Sequence, residues 1–347
     1  MSTETTFYRK YRPDNFKEVI GQDHIVKVLK GAIERQSFSH AYLFAGSRGT
    51  GKTSVARILA KELGCSSNDL IEIDGASSRG IGEIRELREA VKSLPFDSSL
   101  KVYIIDEVHM LTTEAFNALL KTLEEPPKHV IFVLATTELG KVPETIISRC
   151  EVHNFRRPTI AVISQIISMV AKNEKIKLEP GAAEAIALSA DGSFRDALGL
   201  LQKVYATSAD EKITVQEVEE LIGTLSSKTI NKLLLSILDG EKEKALAIIS
   251  EAVQDSRNFR LITRSLLWKT RLALLSANAP ILMSKSGEID EDDREFLKKI
   301  TTHPKARYLS AILREFLESA VGINYAYLPQ LPLEMAVLKI IEELDKK

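Results

Sequence analysis

The sequence predicts a doubly wound α/β domain that leads into an all-helical remainder, and three observations carry that expectation. Between Ala41 and Phe155 short apolar runs alternate with amphipathic segments, the pattern of a parallel sheet covered by helices. A glycine-rich loop stands between the first apolar run and the first amphipathic segment, where such a fold turns from strand to helix. After Arg157-Pro158 the strand-like runs stop, and helical periodicity continues with breaks at Pro180-Gly181, Asp191-Gly192, Asp239-Gly240 and Pro280.

Four strands are expected, at Ala41 to Ala45, Leu70 to Asp74, Lys101 to Asp106 and Val130 to Thr136, each giving way to Gly, Ser, Thr or acidic residues. The intervening segments Lys52 to Leu63, Ile81 to Ser93 and Thr113 to Leu123 place apolar residues three and four apart, so they read as helices. Boundaries fall near Arg156 to Pro158 and near Gly223 to Ser227, where Gly-Thr-Leu-Ser-Ser interrupts two helices. The expected domains are therefore 1–157, 158–224 and 228–347. No internal repeat and no low-complexity tail is visible.

Composition excludes several classes. The 347 residues carry 47 Lys+Arg against 48 Asp+Glu and are 44% hydrophobic, which is ordinary globular usage. The longest uncharged stretches, Thr159 to Ala171 and Leu272 to Ser284, fall short of the ~20 apolar residues that a membrane-spanning helix needs. The polar opening Met1 to Thr6 lacks the basic cap and apolar run of a secretory signal, so a cytoplasmic protein with no membrane partner is expected. Cys65 and Cys150 are too few for a disulfide framework or a four-thiolate metal site. Net charge near zero argues against a globally basic nucleic-acid binder, yet residues 1–60 hold ten Lys/Arg against five acids. The acidic run Glu288 to Glu295 reads as a solvated loop or helix start.

The chemistry concentrates at strand ends. Gly46-Ser47-Arg48-Gly49-Thr50-Gly51-Lys52-Thr53 is a full match to the phosphate-binding P-loop, in the strand-to-helix context the motif requires. Its glycines let backbone N–H groups face a phosphate and the helix N-terminus adds a positive dipole end; Lys52 reaches the β/γ-phosphates. Thr53 can ligate Mg²⁺, and with Ser54 the ATP cradle runs from Gly46 to Ser54. The strand Lys101 to Asp106 ends in Asp106-Glu107, two carboxylates at the carboxyl edge of the sheet, where open α/β folds bind ligands. Asp106 would serve the metal, and Glu107 would polarise the water that attacks the γ-phosphate. His109 reads as a packing or hydrogen-bonding residue. Thr137, ending the fourth strand, brings a hydroxyl to the same edge. Arg149 and Arg195 add cations, one just before the chain leaves the first domain and one at a helix start in the next.

Taken together, Tyr8-Arg9-Lys10-Tyr11-Arg12-Pro13, Val19-Ile20-Gly21-Gln22, His40 to Phe44, the P-loop, Ile71 to Asp74, Asp106-Glu107-Val108-His109, Leu119 to Pro127 and Ser148-Arg149-Cys150 resemble the AAA+ clamp-loader ATPases. Among these the chain is most similar to the gamma/tau subunits of bacterial DNA polymerase III. The motifs span most of residues 7–157 in order, and Gly192 to Leu198 resembles the family's second-sensor motif. Beyond about residue 225 the resemblance is architectural only.

The resemblance implies an α/β P-loop AAA+ domain, a small helical lid domain and an all-α collar, within a five-membered ring that uses ATP and Mg²⁺ to open a sliding clamp and place it on primer–template DNA. It further implies that Lys52 and Thr53 bind phosphate and Mg²⁺, that Asp106 and Glu107 form the Walker B pair, and that Thr137 and Arg195 are sensors 1 and 2. Arg149 resembles the arginine finger that completes a neighbour's site in trans, a placement that ties hydrolysis to assembly. Arg12, Pro13 and Val19 would line the adenine pocket. Arg79, Arg85 and Lys141 resemble the DNA-tracking face, where contact should be to the phosphate backbone because a loader works at any sequence.

The chain departs from the family pattern in two places. The bacterial subunits usually carry a four-cysteine zinc module before the strand at Ile71; here only Cys65 stands there, with five residues between it and Ile71, so no zinc is expected. The sequence ends at Lys347 without a long extension and so looks like a short gamma-type form. Two rival functions compete with the loader motor: a weakly hydrolysing scaffold like the delta-prime subunit, which Lys52, Thr53, Glu107 and Arg149 disfavour, and another AAA+ remodeller, which Ser148-Arg149-Cys150 and Leu123 to Pro127 disfavour. No polymerase active site is visible, so a polymerase label would belong to the holoenzyme.

Overall fold

A computed structural model of the chain describes residues 6–77, 80–208, 212–280 and 291–345. By Cα packing it divides into two compact units, Met1–Ile163 with Gly192–Gly199, and Ser164–Asp191 with Leu200–Lys347.

The first unit opens with α1 (Phe7–Lys10) and α2 (Asp23–Glu34) and then alternates: β1 (Ala41–Ala45), α3 (Lys52–Glu62), β2 (Leu70–Asp74), α4 (Ile81–Val91), β3 (Lys101–Asp106), α5 (Thr113–Glu124), β4 (Val130–Thr136), α6 (Glu144–Ile147) and β5 (Glu151–Asn154). The strands form one parallel sheet of order β2-β3-β4-β1-β5. Because side chains alternate across a strand, each strand feeds two cores. Leu43, Tyr103, Ile105, Phe132 and Leu134 pack with Ile84 and Leu87 of α4 and Phe116 and Leu119 of α5. Tyr42, Phe44, Val102, Ile104, Ile131 and Val133 pack on the other face with Ile25 and Leu29 of α2 and Val55 and Leu59 of α3. Apolar residues at every position of β1 and at the first six of β4 are thus explained: both strands are buried on both faces.

All four expected strands form at their expected residues. The fifth, β5, was not expected, because Glu-Val-His-Asn has a single apolar residue, Val152. It pairs with β1 along Tyr42 to Ala45, and its His153 is buried against the Tyr42 and Phe44 rings.

The second unit contains most of α7 (Ile160–Asn173), β6 (Lys177–Leu178), α8 (Ala182–Ser189), the later part of α9 (Phe194–Thr207), β7 (Lys212–Ile213) and α10 (Val215–Ile222). It continues through α11 (Ser227–Asp239), α12 (Lys242–Gln254), α13 (Phe259–Asn278), α14 (Glu291–Thr301), α15 (Leu309–Gly322) and α16 (Leu331–Asp345). Among the described residues of this unit, the departure from an all-helical reading is the two-residue parallel pairing of β6 with β7. Helix α10 starts on a capping box, in which the Thr214 hydroxyl accepts from Glu217 N–H while the Glu217 carboxylate accepts from Thr214 N–H. The break at Gly223 to Ser226 is tied down: Asn258 N–H donates to Gly223 carbonyl at 2.6 Å, and Ser227 N–H donates to Glu219 at 3.0 Å. Helices α11 to α16 share one core that includes Leu233, Ile237, Leu266, Phe316, Val337 and Ile341. No helix among the described residues is long and apolar enough to cross a membrane.

Candidate nucleotide-binding site

The parallel register brings the ends of β1, β3 and β4 to one edge of the sheet, and the expected chemistry gathers there. The P-loop follows β1 and opens α3. Lys52 is buried, and its ammonium donates to the carbonyls of Gly46 at 2.8 Å and Ser47 at 3.0 Å. Burial lowers its pKa, and the facing carboxylates of Glu107 and Asp106 oppose that shift. In the first turn of α3, the Thr53 hydroxyl donates to Asp106 Oδ2 at 2.6 Å, so strand β3 and the P-loop helix meet through the two groups expected to hold Mg²⁺. Their oxygen donors suit a hard cation.

Glu107 follows Asp106 with φ 46° and ψ 44°, a left-handed conformation that non-glycine residues rarely adopt. Its Oε2 accepts from the Thr137 hydroxyl at 3.1 Å. Gly75, just past β2, makes this corner possible: its N–H donates to Asp106 carbonyl at 2.8 Å. A Cβ at Gly75 would lie 2.8 Å from Glu107 O and 2.9 Å from Asp106 O.

The start of α9 reaches the same loop. Phe194 N–H donates to Gly49 carbonyl at 3.0 Å, and a Cβ at Gly49, where φ is 74°, would stand 2.0 Å from Ser193 Oγ. Arg195, next in line, stacks its guanidinium over the Tyr8 ring at 5.0 Å. Arg12 joins this positive cluster: burial lowers its pKa first, Arg57 and Arg195 push the same way, and Glu72 opposes them. Buried Gln22 braces the neighbourhood by donating to Arg156 carbonyl at 2.7 Å and to Thr50 carbonyl at 3.4 Å.

Other expected residues sit apart from this constellation. Arg149 binds Glu124 Oε1 at 2.7 Å and Thr145 carbonyl at 2.7 Å, and touches neither the P-loop nor the Asp106–Glu107 corner. Val19 packs against the core beside α2 and α3. Lys141 is exposed and paired with Glu138 at 2.9 Å. Arg79 lies outside the described residues, and the described structure leaves out the Arg85 side chain. Cys65 and Cys150 are free thiols; burial raises both pKa values, that of Cys150 to about 12. Among the described residues no group of three His, Cys, Asp or Glu is placed to share a metal ion.

Sequence reading missed Gly75, Ser193, Phe194 and Tyr8 as parts of the site. Tyr8 lay within a quoted motif, and Gly75 directly after a strand-end Asp was a readable signal of close backbone approach.

Comparison with known proteins follows the same order along the chain. Residues 21–80 and 67–159 match the model for "DNA polymerase III, delta subunit", residues 162–209 that for the clamp loader subunit ATPase lid domain, and residues 213–347 that for domain III of DNA polymerase III subunits gamma and tau. The DNA polymerase III subunit tau of Bacillus subtilis is 40% identical over 96% of this chain and 63% of its own length. The subunit gamma of Buchnera aphidicola is 32% identical over 97% of this chain and 98% of its own. The chain spans about half to two-thirds of the length of the tau-type relatives it matches. Among solved structures, RuvB of Thermotoga maritima aligns at a TM-score of 0.52 and 26% identity, over 66% of this chain and 79% of its own.

Proposed function

The chain belongs to the gamma/tau family of DNA polymerase III clamp-loader subunits, and from that premise we propose that it is a working ATP motor that opens a sliding clamp and places it on primer–template DNA. The observation that carries the motor reading is the Thr53–Asp106 contact at 2.6 Å, with Lys52 beneath the loop and Glu107 beside it. In this reading Gly46 to Ser54 cradle ATP, and Arg12, Pro13 and Val19 flank its base. Thr53 and Asp106 hold Mg²⁺, which when bound screens the phosphate charge. Glu107 orients the attacking water and takes its proton, while Lys52 and Arg195 balance the charge on the γ-phosphoryl group. Thr137, already bonded to Glu107, reports the γ-phosphate to that carboxylate.

Arg149 acts on a neighbour. Its guanidinium is one-third exposed and held by the Glu124 carboxylate, the Thr145 carbonyl and the Ser148 hydroxyl; the surface ion pair is worth about 0–1 kcal/mol, so its exchange for a neighbour's phosphate costs little. The partners are other loader subunits in a pentamer, the clamp and primed DNA in the cytoplasm, with Arg79, Arg85 and Lys141 facing the DNA backbone. The working domains are 1–157, 158–224 and 228–347.

The test is steady-state ATP hydrolysis by the chain with its loader partners, with and without clamp and primed DNA, beside Lys52→Ala and Arg149→Ala. Stimulation by clamp and DNA that both substitutions abolish supports the motor. ATP binding with flat turnover in every mixture would replace it with the scaffold reading.

A further inference from the structure

A buried imidazole stands between the hydrolytic carboxylate and the surface. His109 lies in the turn after Glu107, with only 6% of its side chain exposed. Its Nδ1 is 3.0 Å from the Thr136 hydroxyl and 3.4 Å from Glu107 Oε2. Its Nε2 is 3.5 Å from Glu138 Oε1. Glu138 is fixed at both ends: its N–H donates to the Thr136 hydroxyl at 3.0 Å, and its carboxylate pairs with Lys141.

The consequence for Glu107 is geometric. A carboxylate oxygen only accepts, so the 3.4 Å contact is attractive in the tautomer that carries the ring hydrogen on Nδ1, where that one hydrogen is shared between the Thr136 hydroxyl and Glu107 Oε2. Thr137 and His109 then converge on the same oxygen, Oε2, while Oε1 has no hydrogen-bond partner among the described residues. A side chain held by one oxygen on two sides has little freedom to rotate, and the other oxygen is left for water. The left-handed backbone of Glu107 places the carboxylate; the ring keeps it there.

We propose that His109 is a positioning residue for ATP hydrolysis: it restrains Oε2 of Glu107 through Nδ1, while the Thr136 hydroxyl holds the same edge of the ring. This rests on the reading of Glu107 as the group that orients the attacking water. It assigns His109 no contact with nucleotide, so nucleotide affinity and turnover should separate.

The two ring nitrogens can be tested one at a time. His109→Asn retains a polar group near Nδ1, His109→Gln retains one near Nε2, and His109→Leu retains neither. In the assembled loader with clamp and primed DNA, kcat should fall about tenfold for Gln and Leu and stay within about threefold for Asn; misplacing a reacting group by ~1 Å can cost about 10²-fold. The Kd for a fluorescent ATP analogue should be unchanged in all three. Unaltered turnover in His109→Leu, or equal loss in Asn and Gln with a matching fall in Tm, would overturn the positioning role. If the parent assembly binds ATP without turning it over, the hydrolytic reading of the site falls, and this inference with it.

Discussion

Lys52 and Lys269 are each 6% exposed, yet their surroundings differ in kind. In the P-loop, Lys52 is held by two neutral carbonyls and has no direct ion pair; with three hydrogens to donate, one is uncommitted among the described residues. In the helical bundle, Lys269 pairs directly with Asp293, donates to Ser227 Oγ at 2.7 Å and lies 5.6 Å from the centre of the Phe296 ring. Asp293 in turn accepts from Ser227 and Asn231. Burying a cation is costly unless it is paired. The bundle meets that cost within the chain, whereas the P-loop leaves it for an anion to meet. Backbone geometry agrees, since the site carries a left-handed Glu107 and a glycine pressed against it, while α13 and α14 run regularly through Lys269 and Asp293.

The sharpest way to break this contrast is to remove each lysine. Lys52→Ala should reduce ATP turnover by about 10²–10³-fold, the scale of losing one preorganised charge-stabilising group. It should leave the melting temperature nearly unchanged, because water can satisfy the two freed carbonyls. Lys269→Ala should do the reverse. It strands a partly buried carboxylate at a cost of about 3 kcal/mol, a fall of roughly 6–12 °C, with ATP affinity intact. Replacing the pair together, Lys269→Met with Asp293→Leu, should recover most of that loss. Calorimetry beside nucleotide titration decides; a melting loss in Lys52→Ala as large as in Lys269→Ala would erase the distinction.

Backbone crowding gives a smaller effect. Gly75→Ala drives a methyl group into the carbonyls of Asp106 and Glu107, so the corner must shift; overpacking of this kind costs about 1–3 kcal/mol. Turnover should fall about tenfold with ATP binding retained, as a displaced Glu107 requires. Gly31→Ala, in the middle of α2 with open space around its Cβ, should instead gain about 0.5–1 kcal/mol. Equal behaviour of the two variants would show that Gly75 is not a site residue.

What the sequence made legible follows the same division. Strands β1, β3 and β4 were readable because burial on both faces writes a nearly continuous apolar run, β2 because Ile71 and Ile73 alternate with Glu72 and Asp74, and the P-loop and Asp106-Glu107 because their chemistry is local in sequence. Strand β5 was hidden because it has a single apolar residue, Val152. The Lys269–Asp293 pair was illegible, since each residue alone looks like a solvated charge on an amphipathic helix and only folding brings them together. For the same reason Ser193 and Phe194 could not be linked to Gly49 from spacing. His109 was legible as a hydrogen-bonding residue, but its partner, Thr136, ends the neighbouring strand β4, far along the sequence.

Asp69 sharpens the rule with the smallest expected effect. It is a buried charge without a counterion, as Lys52 is, but four donors from one loop close around it: Phe96 N–H at 2.5 Å, Asp97 N–H at 2.9 Å, Ser98 N–H at 2.8 Å and the Ser98 hydroxyl at 2.6 Å. Burial pushes its pKa up, and the hydrogen bonds from Ser98, Phe96 and Asp97 outweigh it, holding the carboxyl well below the usual range near 3.8. A folded-state pKa lowered in this way adds stability that is present above the unfolded value and is lost as pH falls through the folded one. Asp69→Asn leaves a single acceptor oxygen for those donors, so the variant should melt below the parent by a constant margin from about pH 8 to pH 5. Below about pH 4 the margin should narrow, because Asp69 of the unfolded parent takes up a proton while the folded carboxylate still resists it. A margin that widens on acidification would mean that the loop does not stabilise the ionised form. Saturation, then, and not the mere absence of a counterion, is what separates Asp69 from Lys52: one buried charge has every neutral partner it can use, and the other still has a hydrogen to give.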